Sequence, residues 1–412
     1  MKTIYRITSG SPHEIHRAGF ILPVPDRIIK NGYIRIMNGR ILEVGSHPRP
    51  FTRLLHGCRV KLIDHGPGVI IPPLVNAHTH FELSALSGRI PFNKGFGGWV
   101  RKLLMQREAC GVDQLMQGAS KGIEESLATG TALAGEISTL GITREIMQES
   151  KLSGVHFQEY LGEGDVDPNL SAKLGFMGNI GFSFAGHAPH TTAPDILKNL
   201  KAACLKHGLP FSIHAAESSD ETEFITSARG NWADFLNERG IDFSSWPIPS
   251  PSPVRYLHDM GILDSHTLVV HLIDADKNDL DMLASVGAVP VLCARSNKNL
   301  HDRLPDLPGI AAHGSGVLKP ALGTDSLAST STLNMFHEMA FIAKEFPAIR
   351  PEYILTMATI NGADALGFGD SFGTLKKGRK AAFLYLPHPH DPGPKKTRED
   401  IILEIINHYG ES

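Results

Sequence analysis

The sequence predicts an α/β fold: a (β/α)8 TIM-like barrel with a small β-sandwich domain built from both chain ends. Eight short apolar runs recur in the middle of the chain, with helical stretches between them. Both flanks instead hold short stretches in which apolar and polar residues alternate. Apolar strands that alternate with helices are typical of a parallel sheet buried on both faces, and eight such units make a barrel.

The flanks of the 412-residue chain predict the small domain. In residues 1–66, GYIRIMNGRILEVGS alternates around Asn38-Gly39, a dipeptide that favours a hairpin turn. In residues 367–412, GTLKKGRKAAFLYLP predicts a turn followed by a short strand. We expect these two flanks to pair, and residues 67–366 between them to form the barrel.

The apolar runs define the barrel strands in chain order: VIIPPLVNAHTH, TALAGEIS, VHFQEYLG, IGFSFAGHAP, PFSIHAAES, TLVVHLID, VPVLCARSN and KPALGTDS. Helical stretches such as APDILKNLKAACLKHG place apolar residues at three- and four-residue spacing and end at a glycine. Residues 223–253 are longer than a normal connection and contain Trp232 and Trp246. They are predicted to be an insertion over the barrel mouth.

The charge and cysteine content exclude several classes of protein. The 40 basic and 43 acidic residues give a net charge of −3, so we expect neither a nucleic-acid partner nor a membrane partner. The four cysteines form no CxxC motif and no disulfide framework, which is typical of a reducing, cytoplasmic compartment. The longest apolar stretch, residues 68–77, is shorter than the ~20 residues of a membrane helix.

Polar side chains stand at the ends of five predicted strands: His78, His80, His187, His214, Glu217, His271 and Asp325. Active sites of α/β barrels are built at these carboxyl ends. Residues i and i+2 of a strand point to one face, so His78 and His80 can bind the same ion. Adding His214 and Asp325 gives three nitrogens and one carboxylate, which suits Zn²⁺ and is also compatible with Fe²⁺.

These motifs resemble the amidohydrolase superfamily, in the branch of cytosine, guanine and adenosine-type deaminases and chlorohydrolases. The matching stretches are NAHTHFELS, HAPHT, SIHAAES, VVHLID, CARSN and LGTDSLAS, and the resemblance covers nearly the whole chain. It implies that one divalent metal is held by His78, His80, His214 and Asp325. A single metal is implied because GFSFAGHAP lacks the lysine with which binuclear relatives bridge two metals.

The resemblance implies a hydrolytic deaminase of a small molecule, with Glu217 as the proton shuttle and His271 as a partner of the water. A metal lowers the pKa of water, and the resulting hydroxide is expected to attack a C–NH₂ carbon. Asp325 and His271 are expected to orient that water and take its proton, and Glu217 to shuttle protons to the ring and to ammonia. A carboxylate is suited to this role if burial holds its pKa high enough to shuttle protons at pH 7. The His/Cys motif of deaminases that act on nucleic acids is absent.

The substrate is predicted from a narrower resemblance. HTHFELS, GFGGWVRKLL and LGTDSLAS most resemble the aminodeoxyfutalosine deaminases of menaquinone biosynthesis, which makes 6-amino-6-deoxyfutalosine the best single guess. His187, Glu82 and Arg295 are expected to bind substrate. Glu82 is alternatively a partner of a ligand histidine, and Arg295 a member of a structural ion pair. Phe96 and Trp99 are expected to form an aromatic wall or lid, with ordinary core residues as the alternative. Arg89, Arg101 and Arg295 are candidates for pairing with the benzoate carboxylate.

Other functions stay open on the sequence. HAPH and CARSN replace the HAPY and CPRSN common in related nucleoside deaminases, which leaves the substrate open but not the chemistry. The alternatives are a chlorohydrolase, a deaminase of guanine, cytosine or methylthioadenosine, and a non-catalytic scaffold of the same fold. A homodimer is compatible with the sequence.

Overall fold

Two β-sheets organise the protein in the computed structural model, which describes residues 4–8, 13–46, 60–92, 95–164, 172–313, 317–387 and 396–411. The strands of these residues are β1 (Tyr5–Thr8), β2 (His13–Val24), β3 (Arg27–Met37), β4 (Arg40–Gly45), β5 (Lys61–Asp64), β6 (Val69–Ile71), β7 (Leu74–Thr79), β8 (Thr131–Ser138), β9 (Ser153–Tyr160), β10 (Gly175–Met177), β11 (Ile180–Gly186), β12 (Phe211–Ala215), β13 (Thr267–His271), β14 (Val289–Leu292), β15 (Ala321–Leu322) and β16 (Ala382–Leu386).

The helices of the same residues are α1 (Phe96–Cys110), α2 (Val112–Ala128), α3 (Thr143–Glu149), α4 (Pro194–Lys206), α5 (Ser219–Ser227), α6 (Asn231–Glu238), α7 (Pro253–Asp259), α8 (Lys277–Val286), α9 (Ala294–His301), α10 (Leu307–Ala312), α11 (Met335–Glu345), α12 (Pro351–Thr356), α13 (Gly362–Ala365) and α14 (Arg398–Gly410). A short 3₁₀ helix covers Phe81–Leu86, and a π-helical turn covers Met357–Asn361.

The smaller sheet is built from both ends of the chain. Its strand order is β1-β16-β6-β2-β3-β4, and β5 also pairs with β2. The predicted hairpin joins β3 to β4, and its turn residues Asn38 and Gly39 have φ values of 50° and 71°. Positive φ at both turn positions matches the right-handed twist of the strands, which explains the Asn-Gly pair. The predicted pairing of the two flanks is confirmed.

The larger sheet is the predicted barrel. Its strands follow the order β7-β8-β9-β11-β12-β13-β14-β15, with parallel pairing throughout, and β10 pairs antiparallel with β11. The last strand meets the first through a parallel bridge between Thr79 and Asp325. Every residue of β8 and β11 is buried, because helices cover the outside and side chains fill the inside.

The first predicted run is divided between the two sheets. Its residues Val69–Ile71 form β6 of the smaller sheet, and the barrel strand β7 begins only at Leu74. Pro72 and Pro73 separate the two strands, because proline has no N–H for a β-ladder. Helix α14 packs on α11, with Tyr409 5.3 Å from Phe336 between ring centroids. We propose a small domain of residues 1–66 and 367–412 and a barrel of residues 67–366. Strand β6 of the barrel segment pairs in the smaller sheet, and α14 of the last segment packs on the barrel helix α11.

Two further expectations concern membranes and cysteines. In the described part of the chain, no helix is both long enough and apolar enough to span a bilayer. Cys110, Cys204 and Cys293 are buried and free, whereas Cys58 lies outside the described residues.

Candidate active site

The predicted site residues meet at one edge of the barrel. Because parallel strands all end at the same side, residues far apart in the chain converge there. These residues are His78 and His80 at the end of β7, His187 after β11, His214 and Glu217 at β12, His271 at β13 and Asp325 after β15.

Four buried side chains form a compact His/Asp cluster. The Nε2 atoms of His78 and His214 are 3.2 Å apart. Oδ1 of Asp325 lies 3.6 Å from Nε2 of His80 and 3.9 Å from Nε2 of His78. The ligand atoms of His78, His80 and Asp325 all lie within 4.8 Å of one another. The structure thus brings together the four residues predicted to hold a metal.

The donor set fits a divalent ion. Nδ1 of His214 is 2.7 Å from the carbonyl oxygen of His187. A carbonyl only accepts, so Nδ1 carries the proton and the Nε2 lone pair faces His78. Three imidazole nitrogens and one carboxylate oxygen match the preferences of Zn²⁺ and Fe²⁺.

Burial keeps the histidines of the cluster uncharged. It lowers the pKa of His80 to about 3 and that of His214 to about 4, and it holds the pKa of His78 well below its usual range. Neighbouring imidazoles lower all three values further, and Asp325 opposes them at His80. A neutral imidazole has a free lone pair, which is the form that ligates metals.

The turns after the strands adopt unusual backbone conformations. His271, Leu272 and Asp325 have φ values of 79°, 57° and 59°. Left-handed φ is disfavoured for residues with a Cβ and is concentrated at functional sites. The amide of Leu272 donates to the carbonyl of Ala215, and that of Asp325 to the carbonyl of His78. These bonds between neighbouring strands hold the turns that carry His271 and Asp325.

Two hydroxyls orient the Asp325 carboxylate. Its Oδ2 accepts hydrogen bonds from Ser296 Oγ at 2.6 Å and from Ser329 Oγ at 2.8 Å. The other oxygen, Oδ1, is therefore the one that faces the histidines of the cluster.

His271 stands between Asn297 and Glu217. Its Nδ1 is 2.8 Å from Oδ1 of Asn297, and its Nε2 is 3.7 Å from Oε1 of Glu217. An amide oxygen accepts, so Nδ1 of His271 carries a proton. Nε2 lies on the side of Glu217.

Glu217 is a carboxylate held by two histidines. Its Oε1 lies 3.2 Å from Nε2 of His301 as well as near His271. Burial alone would raise the pKa of Glu217, but the two histidines outweigh it and hold that pKa well below its usual range. Burial alone therefore does not set the pKa of Glu217, because a second histidine, which the sequence does not show, lies at the carboxylate.

The three predicted substrate-binding residues lie in different surroundings. His187 is half-buried beside His214, at 5.1 Å between ring centroids, and its Nδ1 is 2.6 Å from Thr191 Oγ1. Glu82 is buried, and its Oε2 accepts from Ser138 Oγ at 2.6 Å and from the Leu140 amide at 3.0 Å.

Arg295 faces a separate surface recess. Its guanidinium donates to Ser331 Oγ at 2.8 Å and to the Thr332 carbonyl at 3.4 Å. The recess has a volume of about 380 Å³ and is also lined by Phe92 and Asn299.

Sequence reasoning missed two polar residues of the site. His301 follows Asn297 by four residues, so the two lie on one face of α9, and this spacing could have found it. Glu159 is the next-to-last residue of β9, and its strand-end position was the available signal. Its Oε2 accepts from Thr139 Oγ1 at 2.7 Å, and its carboxylate lies within 4.8 Å of ligand atoms of His187 and His214.

A larger recess adjoins these residues. It has a volume of about 490 Å³ and lies between α1 and α6, with Phe96, Arg101, Trp232 and Phe235 among its lining residues. The Phe96 ring packs against His301 at 4.6 Å between centroids. The segment predicted to cover the barrel mouth therefore meets α1 beside His301.

A barrel with a buried His/Asp cluster at the carboxyl ends of its strands is typical of hydrolases that use a divalent metal. The chain belongs to the amidohydrolase family, whose sequence profile matches residues 69–402.

Two relatives and one solved structure are similar along most of the chain. A 5-methylthioadenosine/S-adenosylhomocysteine deaminase of Syntrophobacter fumaroxidans is 27% identical over 393 residues, which cover 89% of this chain and 82% of the relative. An aminodeoxyfutalosine deaminase of Deinococcus radiodurans is 29% identical over 356 residues, which cover 81% of each. The crystal structure of Helicobacter pylori aminofutalosine deaminase with methylthio-coformycin superposes with a TM-score of 0.83, at 24% identity and 96% coverage of both chains. This likeness establishes the fold.

Proposed function

We propose that the protein is a metal-dependent hydrolytic deaminase of an aminated purine nucleoside. The observation that carries this proposal is the placement of Glu217 and His271, with Oε1 and Nε2 3.7 Å apart, beside a cluster that suits one metal. Deamination needs an activated water and a group that returns protons to the ring and to ammonia. The names of the similar relatives support the same reaction.

We propose that His78, His80, His214 and Asp325 hold one divalent ion, Zn²⁺ first and Fe²⁺ as the alternative. When bound, such an ion lowers the pKa of water and supplies a nucleophile near neutral pH. A second ion at Glu159, His187 and His214 is disfavoured. The Nδ1 proton of His214 is directed to a carbonyl, so only Nε2 is left, and the first ion uses it.

The side chains around the ion would then move the protons. Asp325 has one oxygen held by Ser296 and Ser329, and the other helps to orient the water. His271, whose Nε2 lies on the side of Glu217, helps to take the proton of the water. Because Glu217 begins as a carboxylate, it first accepts a proton and then donates it at the ring nitrogen next to the attacked carbon. After that transfer Glu217 is again a carboxylate, so it can take the remaining proton of the added hydroxyl and pass it to the amino group, which leaves as ammonia.

For the substrate we propose a 9-ribosyl adenine with an extension at the 5′ position, with 6-amino-6-deoxyfutalosine as the best candidate. The recess of about 490 Å³ beside the catalytic residues is large enough for more than a free base. His187 is proposed to contact the substrate directly. Glu82 and Arg295 are also proposed to bind substrate; Oε2 of Glu82 is held by Ser138, and the guanidinium of Arg295 is held by Ser331 in the separate recess. Methylthioadenosine is the second candidate, since relatives bear that name.

A substrate panel tests the proposal. We expect ammonia release from 6-amino-6-deoxyfutalosine with a higher kcat/KM than from adenosine, methylthioadenosine, guanine or cytosine. A preference for free guanine or cytosine would overturn the nucleoside assignment. A preference for methylthioadenosine would keep the deaminase and change the substrate, and chloride release from a chlorinated triazine without ammonia release from any nucleoside would favour the chlorohydrolase.

A further inference from the structure

Helix α9 contacts two of the groups to which the proposed reaction assigns proton transfer. Asn297 contacts His271, and His301, one turn later, contacts Glu217. The helix ends at His301, and the following Asp302 adopts a left-handed conformation with φ of 53°. His301 therefore lies in the last turn of α9, whereas the first turn contacts the His/Asp cluster through Ser296, which donates to Asp325.

The surroundings of His301 favour a defined ring position. Its side chain is only 8% exposed, and its Nε2 lies 3.2 Å from Oε1 of Glu217. The ring of Phe96 packs against it at 4.6 Å with a tilt of 47°. Both histidine contacts of Glu217 involve Oε1, so neither of them occupies Oε2.

We propose that His301 is a positioning residue for the proton shuttle: it donates Nε2–H to Oε1 of Glu217 and so aims Oε2 at the reacting atoms. This inference rests on the proposed deaminase function. A fixed donor to a carboxylate is a charge-assisted hydrogen bond, which restricts the rotation of the carboxyl group. It also makes the protonated carboxyl a readier donor, since the bond is stronger to the ionised form.

The test compares three forms of the full, metal-loaded protein. His301→Gln keeps a side-chain N–H donor in a similar place, whereas His301→Leu keeps apolar packing against Phe96 and removes the donor. We expect His301→Leu to lower kcat by about 10- to 100-fold with little change in KM, and His301→Gln to stay within about threefold of wild type. Metal content and Tm are expected to be similar in all three.

A purely structural role predicts a different order. If the ring acts only by packing, the kcat of His301→Leu will equal or exceed the kcat of His301→Gln. Either result would overturn the proposal.

A second measurement needs no turnover. In ¹⁵N-labelled wild type at neutral pH, we expect the Nε2 signal of His301, assigned by its loss in His301→Gln, to carry a slowly exchanging proton. An unprotonated or freely exchanging Nε2 would overturn the inference even if the enzyme is active. A wild type that deaminates nothing would instead overturn the proposed function, and the Nε2 signal would still decide whether His301 donates to Glu217.

Discussion

At the residue scale, burial and hydrogen-bond partners decide what each site residue can do. His214 is buried and has its Nδ1 proton directed to a carbonyl, so Nε2 is free to ligate. Asp325 has one oxygen held by hydroxyls and one that faces the histidines. Glu217 is equally enclosed, yet its two histidines keep it ionised. Similar burial thus yields neutral bases and charged acids, depending on the partner.

The first residue-scale prediction concerns metal content. His214→Ala removes one of four proposed ligands, so we expect metal occupancy to fall sharply. Elemental analysis should find about one Zn or Fe per chain in wild type and far less in the variant.

The control for this experiment is His207→Ala, which truncates an exposed histidine after α4. It should retain the wild-type metal content. Two ions per wild-type chain, or full retention in His214→Ala, would contradict the assignment of a single ion.

The second residue-scale prediction concerns proton transfer. Glu217→Gln keeps the shape of the side chain but cannot accept and return a proton. We expect kcat to fall by ~10²-fold or more, with unchanged metal content, when ammonia release is measured at saturating substrate. Glu223→Gln, at an exposed position of α5, is the matched control. Activity within a few-fold of wild type in Glu217→Gln would assign the shuttle to another residue.

At the element scale, strands carry the residues proposed to be catalytic, and helices orient them. The turn residues after the strands direct His271 and Asp325 toward the cluster, and α9 brings Asn297 and His301 to their partners. Helices α1 and α6 line the recess beside these groups. We therefore expect selectivity for the length of the substrate to come from these two helices, which carry none of the proposed metal ligands.

The element-scale prediction concerns Arg101 of α1. Arg101 lines the recess. Its Nη2 lies 3.4 Å from Oε2 of Glu238, and its Cζ lies 5.9 Å from the centroid of the Phe235 ring. If the benzoate of 6-amino-6-deoxyfutalosine occupies the recess, Arg101→Ala should raise KM for that substrate by ~10-fold, the loss of one exposed charge-assisted contact. KM for adenosine should stay unchanged.

The control is Arg239→Ala. Arg239 also lies over Phe235, at 5.1 Å from the ring centre, but it is not among the residues that line the recess. Equal effects of Arg101→Ala on adenosine and on the extended substrate would show that the recess does not hold the benzoate.

At the scale of the whole molecule, buried and half-buried histidines outside the His/Asp cluster couple stability to pH. Burial lowers the pKa of His156 to about 3, and nearby Arg144 adds to the effect. Burial also lowers the pKa of His190 to about 3 and that of His65 to about 4. An unfolded chain binds a proton at each imidazole near pH 6.5, and the folded chain does not until far lower pH.

The free energy of unfolding should therefore be flat above about pH 6.5 and fall as the pH drops toward about 3. One such histidine costs ~1.4 kcal/mol at pH 5.5 relative to pH 7.5. His156→Phe keeps the ring that stacks 5.5 Å from Phe182 and removes the titration. Urea unfolding at pH 5.5 and pH 7.5 should show that the free energy of unfolding falls by about this amount less in the variant than in wild type.

His207→Phe changes an exposed histidine. In this variant the free energy of unfolding should differ between the two pH values by as much as in wild type. If His156→Phe shows the full wild-type loss, then His156 does not contribute to the acid sensitivity.

Local pattern was enough to predict the architecture and to place His78 and His80 on one face of a strand. That these two residues hold a metal together with His214 and Asp325 stays a prediction. The apolar runs mark the barrel strands, and the spacing of His78 and His80 places both on one face, because side-chain direction in a strand follows sequence position alone. The family assignment is confirmed by the match over residues 69–402. These features depend on neighbours in the chain, so the sequence by itself determined them.

The tertiary structure alone decided how the remaining side chains are paired. Glu217 and His301 are 84 residues apart, and Glu82 and Ser138 are 56 apart. Arg295 lies next to Ser296 in the chain, yet its guanidinium turns to Ser331 and Ser296 turns to Asp325. Such pairings depend on where distant segments meet and on how deeply each group is buried. Protonation follows from the same two factors, which is why the charge of Glu217 could be read only from the folded chain.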